Sequence, residues 1–221
     1  GTTYNAEFIE GLPLVGRQFE DILTLAPGVT DADGDGTPNV HGARETSFQL
    51  RLDGTNVNNP LTGMIGQNVN IESIEDGELV TTGASAEFGR ASGGFGNAIT
   101  KSGGNDFAGS LKLFYRSDFL HGDGANDEDP PPEFTDTNVY LTAGGPLVKD
   151  HFWYFTSIEG IDEEIPVIFA AGGHAIQDLE GWLSFGKLTW QASQLHRLAL
   201  QVNYDPLALT GNNIGPYTSL D

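Results

Sequence analysis

Apolar and polar residues alternate through the second half of the chain, most cleanly in residues 197–204, where four apolar side chains occupy every second position. A period of two is the period of a β-strand, because successive side chains of a strand point to opposite faces. The pattern predicts five strands in this half. They lie at about residues 110–116, 137–144, 151–159, 181–192 and 197–204.

The first half of the chain has a mixed pattern. Apolar residues in the segment 19–23 have the spacing of one helix face, and Pro27-Gly28 ends that short helix. Residues 48–52 alternate up to the turn sequence Asp53-Gly54, which predicts a hairpin. A helical turn that leads into a strand follows at residues 71–81.

The connections between the five predicted strands alternate in length: the first and third are long, and the second and fourth are short. Short turns at one end and long loops at the other are typical of a transmembrane β-barrel. A soluble β-sandwich is the alternative, but it gives no reason for this alternation. We therefore predict an α+β domain in residues 1–105, followed in residues 106–221 by antiparallel strands that begin a transmembrane β-barrel.

The charge of the chain excludes one class of partner. With 31 acidic and 10 basic residues its formal net charge is -21, which repels nucleic acid. High solubility or adaptation to salt explains the same charge. There is no cysteine, so neither a disulfide framework nor a thiolate metal site is predicted.

Four segments resemble the TonB-dependent receptors of the bacterial outer membrane, in the order and spacing that these receptors have. EGLPLVGRQFEDILTLAPGV (10–29), GARETSFQLRLDGTNVNNP (42–60) and IESIEDGELVTTGASAEFGRASGGFGNAITKSGGN (71–105) resemble their plug domain. GGPLVKDHFWYF (144–155) resembles the first periplasmic turn and the strand after it. The resemblance is to the Oar-like branch of the family.

The resemblance implies a transporter rather than an enzyme. It implies a barrel of about 22 strands in the outer membrane of a diderm bacterium, with a plug domain in its lumen and lipid around it. The TonB complex of the inner membrane would supply the energy for substrate passage. Thr82-Gly83-Ala84 stands where these receptors commonly have Arg-Gly-Pro, so no role of that arginine is transferred to this chain.

Five strands cannot close a barrel, because the open sheet would leave two unpaired edges in lipid. We therefore expect the remainder of the barrel as a partner. It is either the rest of a longer chain or a contribution from other outer-membrane or periplasmic proteins.

An acidic loop predicts a calcium site. Asp31, Asp33 and Asp35 precede Gly36 in the pattern D-x-D-x-D-G, in which alternate carboxylates converge on a hard cation. Thr37, through its carbonyl oxygen, and Asn39 are the further candidate ligands. Gly42 stands where an EF-hand would have glutamate, so other oxygens must complete the site. A solvated acidic turn is the alternative.

Three charged residues of the glycine-rich part of the plug are candidates for ion pairs with the barrel. They are Glu87, Arg90 and Lys101. By analogy with the family such pairs would hold the plug in place. Ordinary surface charge, which stabilises by under about 1 kcal/mol, is the alternative.

Catalytic motifs find little support. The five histidines are scattered without metal-ligand spacing, and no G-x-S-x-G sequence occurs. Two other classes of function are alternatives to a transporter. One is a secreted, calcium-stabilised, β-rich adhesion or scaffold module, and the other is a glycosidase with two paired carboxylates.

Overall fold

The computed structural model describes residues 1–11, 19–31, 37–81, 93–120, 133–168 and 174–211. Within these ranges the first hundred residues form a five-stranded and a two-stranded sheet, and the later residues form a six-stranded sheet. We call residues 1–100 the plug unit and the six-stranded sheet the wall. The two predicted halves of the fold are therefore present, a mixed α/β unit followed by long antiparallel strands.

The plug unit is built around a sheet with the strand order β1-β6-β7-β4-β5. β4 and β7 are parallel neighbours, and the other pairs are antiparallel. The predicted hairpin at residues 53–54 and the predicted helical turn before a strand at residue 74 are both present. The elements are β1 (Thr2–Asn5), α1 (Ala6–Gly11), α2 (Phe19–Leu23), β2 (Val29–Thr30), β3 (Asn39–Val40), β4 (Gln49–Leu52), β5 (Thr55–Asn56), β6 (Ile74–Val80) and β7 (Phe95–Thr100), with 3-10 turns at Glu45–Ser47 and Ile71–Ser73.

The hydrophobic core belongs to the plug unit. Phe19, Ile22 and Leu23 of α2 are almost fully buried, as their helical spacing predicts, and they pack with side chains of the plug sheet. Tyr140 is the one described wall residue in this cluster. The plug unit thus stabilises itself largely by its own apolar contacts.

The wall is a run of antiparallel neighbours in the order β12-β11-β10-β9-β8. β13 pairs with β11 in the same register as β12, so β12 and β13 are one strand interrupted at residues 205–206. Three strands extend well beyond their predicted bounds. The elements are β8 (Ala108–Ser117), β9 (Thr135–Val148), β10 (Phe152–Ile168), β11 (His174–Ser193), β12 (His196–Tyr204) and β13 (Leu207–Thr210), with a 3-10 turn at Asp118–Leu120.

The two faces of the wall have opposite character. The face toward the plug unit is buried and largely polar, with Tyr140, Phe155, Leu183 and Phe185 as its buried apolar side chains. The outer face is exposed and apolar. Buried polar side chains of the inner face are Asp136, Asn138, Thr142, Ser157, Glu159, Glu163, Lys187 and Thr189. Exposed apolar side chains of the outer face are Leu111, Leu113, Tyr115, Val139, Leu141, Trp182, Leu188, Trp190, Leu198, Leu200, Val202 and Tyr204.

This arrangement is the reverse of a soluble sandwich, in which the apolar faces of two sheets pack together. An apolar face of this extent is compatible with lipid as its environment. It argues against a free-standing adhesion module, which would bury such a face. In the described ranges, no helix has the length and apolar character needed to cross a membrane.

Candidate functional site: the interface between the plug unit and the wall

Lys187 of β11 binds two plug strands where they end. Its Nζ lies 3.1 Å from Asp53 Oδ2, and it donates to the Thr100 hydroxyl at 2.7 Å and to the Thr100 carbonyl oxygen at 3.2 Å. The Thr100 hydroxyl donates to Asp53 Oδ2 in turn. Lys187 is only 9% exposed, so these acceptors replace water around its charge. We call Lys187, Asp53 and Thr100 the latch.

The sequence Asp53-Gly54 places the latch carboxylate. The two residues form the turn between β4 and β5, with φ of +48° and +81°. Asp followed by Gly is favoured where both positions of a tight turn are left-handed. Because β4 runs parallel to β7, this turn lies beside the end of β7, and Thr100 N donates to Asp53 Oδ1 at 3.0 Å.

Glu72 and Lys112 form a second ion pair between the plug unit and the wall. Lys112 Nζ of β8 lies 2.9 and 2.7 Å from the two carboxylate oxygens of Glu72. The Glu72 carboxylate is nearly inaccessible, with a side-chain exposure of 1%. The 3-10 turn that carries Glu72 is capped by Asn70, whose Oδ1 accepts from Glu72 N at 2.9 Å. The cap therefore fixes the direction in which the carboxylate leaves the backbone.

Asn68 is held by the inner face of β12 and the residues just after it. Its backbone N and its Nδ2 donate to Asp205 Oδ2 at 3.0 and 3.2 Å, and Asn203 Nδ2 donates to the Asn68 carbonyl oxygen at 3.1 Å. Asn203 and Asp205 are two positions apart, so their side chains share one face of the strand. Three hydrogen bonds thus fix a single plug residue to the wall.

Asn58 organises the loop that leads to Asn68. Its Oδ1 accepts from Leu50 N at 2.8 Å, and its Nδ2 donates to the carbonyl oxygens of Phe48 at 2.9 Å and Gly63 at 2.8 Å. One amide side chain therefore serves as a partner for three backbone groups, which would be costly to leave unsatisfied. The loop of residues 57–67 is tied by it to the start of β4.

Residues 101–107, which we call the link, join the plug unit to the wall. Asn105 fixes the position of this link. Its Oδ1 accepts from Asp150 N at 2.9 Å and from Trp153 Nε1 at 2.8 Å, and its Nδ2 donates to Asp150 Oδ1 at 2.5 Å. Gly103 lies so close to the Tyr154 carbonyl oxygen that a Cβ atom would stand 2.1 Å from it. The link thus lies flat against the turn between β9 and β10.

These contacts give the interface its chemical character. The two units meet through the ion pairs of Lys187 and Lys112 and through the more exposed hydrogen bonds of Asn68 and Asn105. The inner face of the wall also buries Phe155, Leu183 and Phe185, while the apolar core cluster stays inside the plug unit apart from Tyr140. A buried ion pair gives little net stabilisation when it forms, because desolvation offsets the Coulomb attraction. The plug unit can therefore separate from the wall and rejoin it without opening most of its own apolar core.

The predicted calcium site lies partly outside the described residues. Asp31, Thr37 and Asn39 are described, and Asp33 and Asp35 are not. Asn39 Nδ2 donates to Glu45 Oε1 at 3.1 Å, and its buried Oδ1 has no hydrogen-bond partner among the described residues. In the part of the chain that the structure describes, no three His, Asp or Glu side chains are arranged to hold a metal. Calcium binding stays a prediction.

The predicted ion pairs also lie partly outside it. Glu87 and Arg90 are not among the described residues, whereas Lys101 is, directly after β7. The ion pairs that the structure does describe between plug unit and wall involve other residues, Lys187 with Asp53 and Lys112 with Glu72. The sequence does contain a signal for these two lysines. Lys112 and Lys187 lie in alternating strands at positions that face away from apolar neighbours such as Leu111, Leu113 and Leu188.

Two protein families match adjoining parts of the chain. The TonB-dependent Receptor Plug Domain matches residues 2–95. The family described as Outer membrane beta barrel domain matches residues 99–174. The two matches therefore fall on the plug unit and on the wall.

Individual proteins give the same result. The TonB-dependent transporter Oar of Myxococcus xanthus is 32% identical over 146 residues, which are 63% of this chain and 14% of that protein. Among solved structures, the siderophore receptor PirA from Acinetobacter baumannii matches with a TM-score of 0.73 and 22% identity, over 94% of this chain and 31% of its own. The outer membrane transporter YddB from Escherichia coli matches with a TM-score of 0.73 and 21% identity, over 94% and 33%. The chain thus spans about a third or less of the length of these proteins.

Proposed function

The chain belongs to the TonB-dependent receptors of the outer membrane, and on this premise we propose that its plug unit closes the lumen of the complete barrel and moves to let a substrate pass. The observation that carries this proposal is the polar interface between plug unit and wall. Lys187 and Lys112 each bind a plug carboxylate, and the apolar core does not extend across the interface apart from Tyr140.

The energetics of the interface suit a gate. A permanent joint between two units would bury apolar side chains from both, because apolar burial contributes about 25 cal/mol per Å² and is lost when they separate. Here a displaced plug unit would exchange ion pairs for hydrated charges, at a smaller net cost. The apolar side chains of the wall that it would uncover are few, namely Tyr140, Phe155, Leu183 and Phe185. The plug unit would also keep its own fold while it moves, since its core is internal.

We propose the TonB complex of the inner membrane as the partner that supplies the energy. The family resemblance supports this partner, and no residue of this chain is assigned to the contact. The outer face of the wall would meet lipid, and further barrel strands would pair with the free edges of β8 and β12.

We also propose that the loop at residues 31–39 binds Ca²⁺. The alternate aspartates of the sequence support it. So does Asn39, whose amide nitrogen is turned toward Glu45 while its oxygen is left without a hydrogen bond to any described residue. A bound ion would stiffen the connection between α2 and the strands that follow.

Cysteine labelling in cells tests the gate. Thr189 lies on the inner face of the wall and is 1% exposed, so a cysteine there is covered while the plug unit is in place. In cells that carry the full-length receptor as Thr189→Cys, we expect fluorescein maleimide to label the cysteine only while the inner membrane is energised and TonB is present. Asp178→Cys, at an exposed position of the same strand near its other end, is the control that should be labelled in every condition. Equal labelling of Thr189→Cys with and without TonB would contradict the proposal.

A further inference from the structure

A cavity of about 440 Å³ lies between the plug unit and the wall, beside the link that joins them. The plug side contributes Ala6 and Glu75, and the link contributes residues 101–104 and Asp106. The wall side contributes residues of β8, β9 and β10, among them Ser110 and Thr142. This cavity differs from the rest of the interface, where side chains of the two units are in direct contact.

The lining of the cavity is small and polar. Ser110 and Thr142 present a pair of hydroxyls 2.7 Å apart. The charged side chains of the lining are the acidic Glu75 and Asp106 and the basic Lys101. Phe155 is the one aromatic side chain among its described lining residues. At roughly 30 Å³ per molecule, a polar space of this size accommodates on the order of ten waters. The cavity is therefore suited to hydrated, polar material and not to an apolar ligand.

Glycines determine where this space lies. Gly103 is pressed against β10, because a Cβ atom there would stand 2.1 Å from the Tyr154 carbonyl oxygen. Gly104 is different, since a Cβ atom there would meet nothing within 4 Å. The link thus follows the wall closely at one point and borders open space at the next.

A latch residue is the direct sequence neighbour of a residue that lines this cavity. Thr100, which Lys187 binds, directly precedes Lys101, the first residue of the link that lines the cavity. Lys101 N also donates to the Ser73 carbonyl oxygen at 2.7 Å. Release of Thr100 from Lys187 would therefore free one side of the cavity and let it widen.

We propose that this cavity is a preformed section of the passage along which a hydrated, polar substrate moves between plug unit and wall. The proposal rests on the gating function above and adds its route. Substrate would pass along β8, β9 and β10 beside residues 101–104. The opposite side of the plug unit, where Asn68 is fixed to the wall, would stay closed.

Single-channel recording of the full-length receptor in planar lipid bilayers, with KCl as the probe, tests the route. Asp53→Asn removes the latch charge while asparagine keeps the left-handed turn, and we expect it to produce channel openings. In that background Gly104→Trp should reduce the conductance of each opening to about half or less by filling the passage. Gly186→Trp is the matched control. A Cβ atom at Gly186 also meets nothing within 4 Å, but the residue faces outward from the wall.

A second variant avoids any effect of tryptophan on folding. In the Asp53→Asn background, Ser102→Cys keeps a small side chain until a cationic methanethiosulfonate is added to the open channel, and the conductance should then fall. Ser193→Cys, at the exposed end of β11 away from the cavity, should show no change. If Asp53→Asn opens the channel but neither Gly104→Trp nor modified Ser102→Cys lowers its conductance, the route is wrong and the gate stands. If Asp53→Asn stays closed, the latch does not hold a gate, and the route fails with it.

Discussion

Lys187 and Asp53 are 134 residues apart in the sequence, and their side chains form an ion pair of 3.1 Å between the wall and the plug unit. The pair places a barrel charge at the turn between β4 and β5. Thr100 completes it from the neighbouring strand, β7. One wall residue, Lys187, thus contacts the ends of two parallel plug strands, β4 and β7.

Removal of this lysine should loosen the plug unit. In Lys187→Met the Asp53 carboxylate loses its counter-ion inside the interface, and we expect the plug unit to be destabilised by about 2 kcal/mol. The measurement is the urea midpoint of plug unfolding in the full-length receptor, followed by pulse proteolysis. Lys149→Met removes an exposed lysine from the turn before β10 and should leave the midpoint unchanged. Equal midpoints for the two variants would show that the latch contributes nothing to docking.

The ion pair of Glu72 and Lys112 should give a measurable coupling free energy in a double-mutant cycle. Glu72→Gln and Lys112→Met each leave one buried or half-buried charge without its partner, so each alone should destabilise docking. The double variant should cost less than the sum, with a coupling of about 1 to 2 kcal/mol. The same urea midpoints give the four corners of the cycle. Strict additivity would mean that the two charges do not stabilise one another.

The alternation of apolar and polar side chains along the sequence predicts most of the strands of the wall. In residues 197–204 every second side chain is apolar and every one of those lies on the outer face, so periodicity alone predicted both the strand and the direction of its faces. It failed at the far end of β10, where Asp162, Glu163 and Glu164 follow one another. There the strand continues beyond the apolar band, and hydrophobic alternation no longer marks it.

The contacts of the site were harder to predict, because they depend on how two units meet. The sequence Asp53-Gly54 predicts a turn but not that a lysine of β11 reaches it. Glu72 reads as part of a helical turn, and only the docking of β8 shows that its carboxylate is buried against Lys112. The local chemistry was visible in the sequence, and the pairing was not.

Asn58 should be sensitive to the loss of a single hydrogen-bond donor group. Asn58→Asp keeps the oxygen that accepts from Leu50 N, but the carboxylate cannot donate to the Phe48 and Gly63 carbonyl oxygens. We expect the plug unit to lose about 2 to 3 kcal/mol of stability, because those acceptors lose their partner and face a negative charge. The urea midpoint is again the measurement.

Asn56→Asp is the matched control for this prediction. Asn56 accepts a hydrogen bond from Asn58 N through its Oδ1 at 2.9 Å, and aspartate preserves that role. The two variants add the same charge two residues apart, so a midpoint that falls equally in both would attribute the effect to charge and not to the amide of Asn58.

Calcium should raise the thermal stability of the receptor if the loop at residues 31–39 binds it. Addition of Ca²⁺ to metal-free protein should increase the melting temperature, since a ligand that binds only the folded state stabilises it by mass action. The double variant Asp33→Asn and Asp35→Asn should lose that increase. Mg²⁺ should not reproduce the increase with the wild-type protein, because Ca²⁺, the larger ion, accepts irregular sets of oxygen ligands more readily than Mg²⁺ does. An equal increase in the variant would assign the effect to another site.

Tyr4 should make the plug unit sensitive to alkaline pH. Burial raises the pKa of its phenol above the ordinary value of 10.0, and within the described part of the chain its buried hydroxyl has no hydrogen-bond partner. Because the folded state holds this proton more tightly than the unfolded state, its contribution to stability is complete below pH 10 and is lost as the pH rises through the raised pKa.

Tyr4→Phe separates this effect from other alkaline titrations. The substitution removes an unpaired hydroxyl, so at pH 8 we expect a change of under about 1 kcal/mol in plug stability. Between pH 8 and pH 11 the urea midpoint of the wild-type plug unit should fall further than that of Tyr4→Phe. The variant keeps the aromatic ring in the core, where it packs beside Phe8 at 5.7 Å between ring centroids, so a difference that grows with pH reports the phenol and not lost packing. Parallel pH profiles for the two proteins would mean that Tyr4 does not titrate with unfolding.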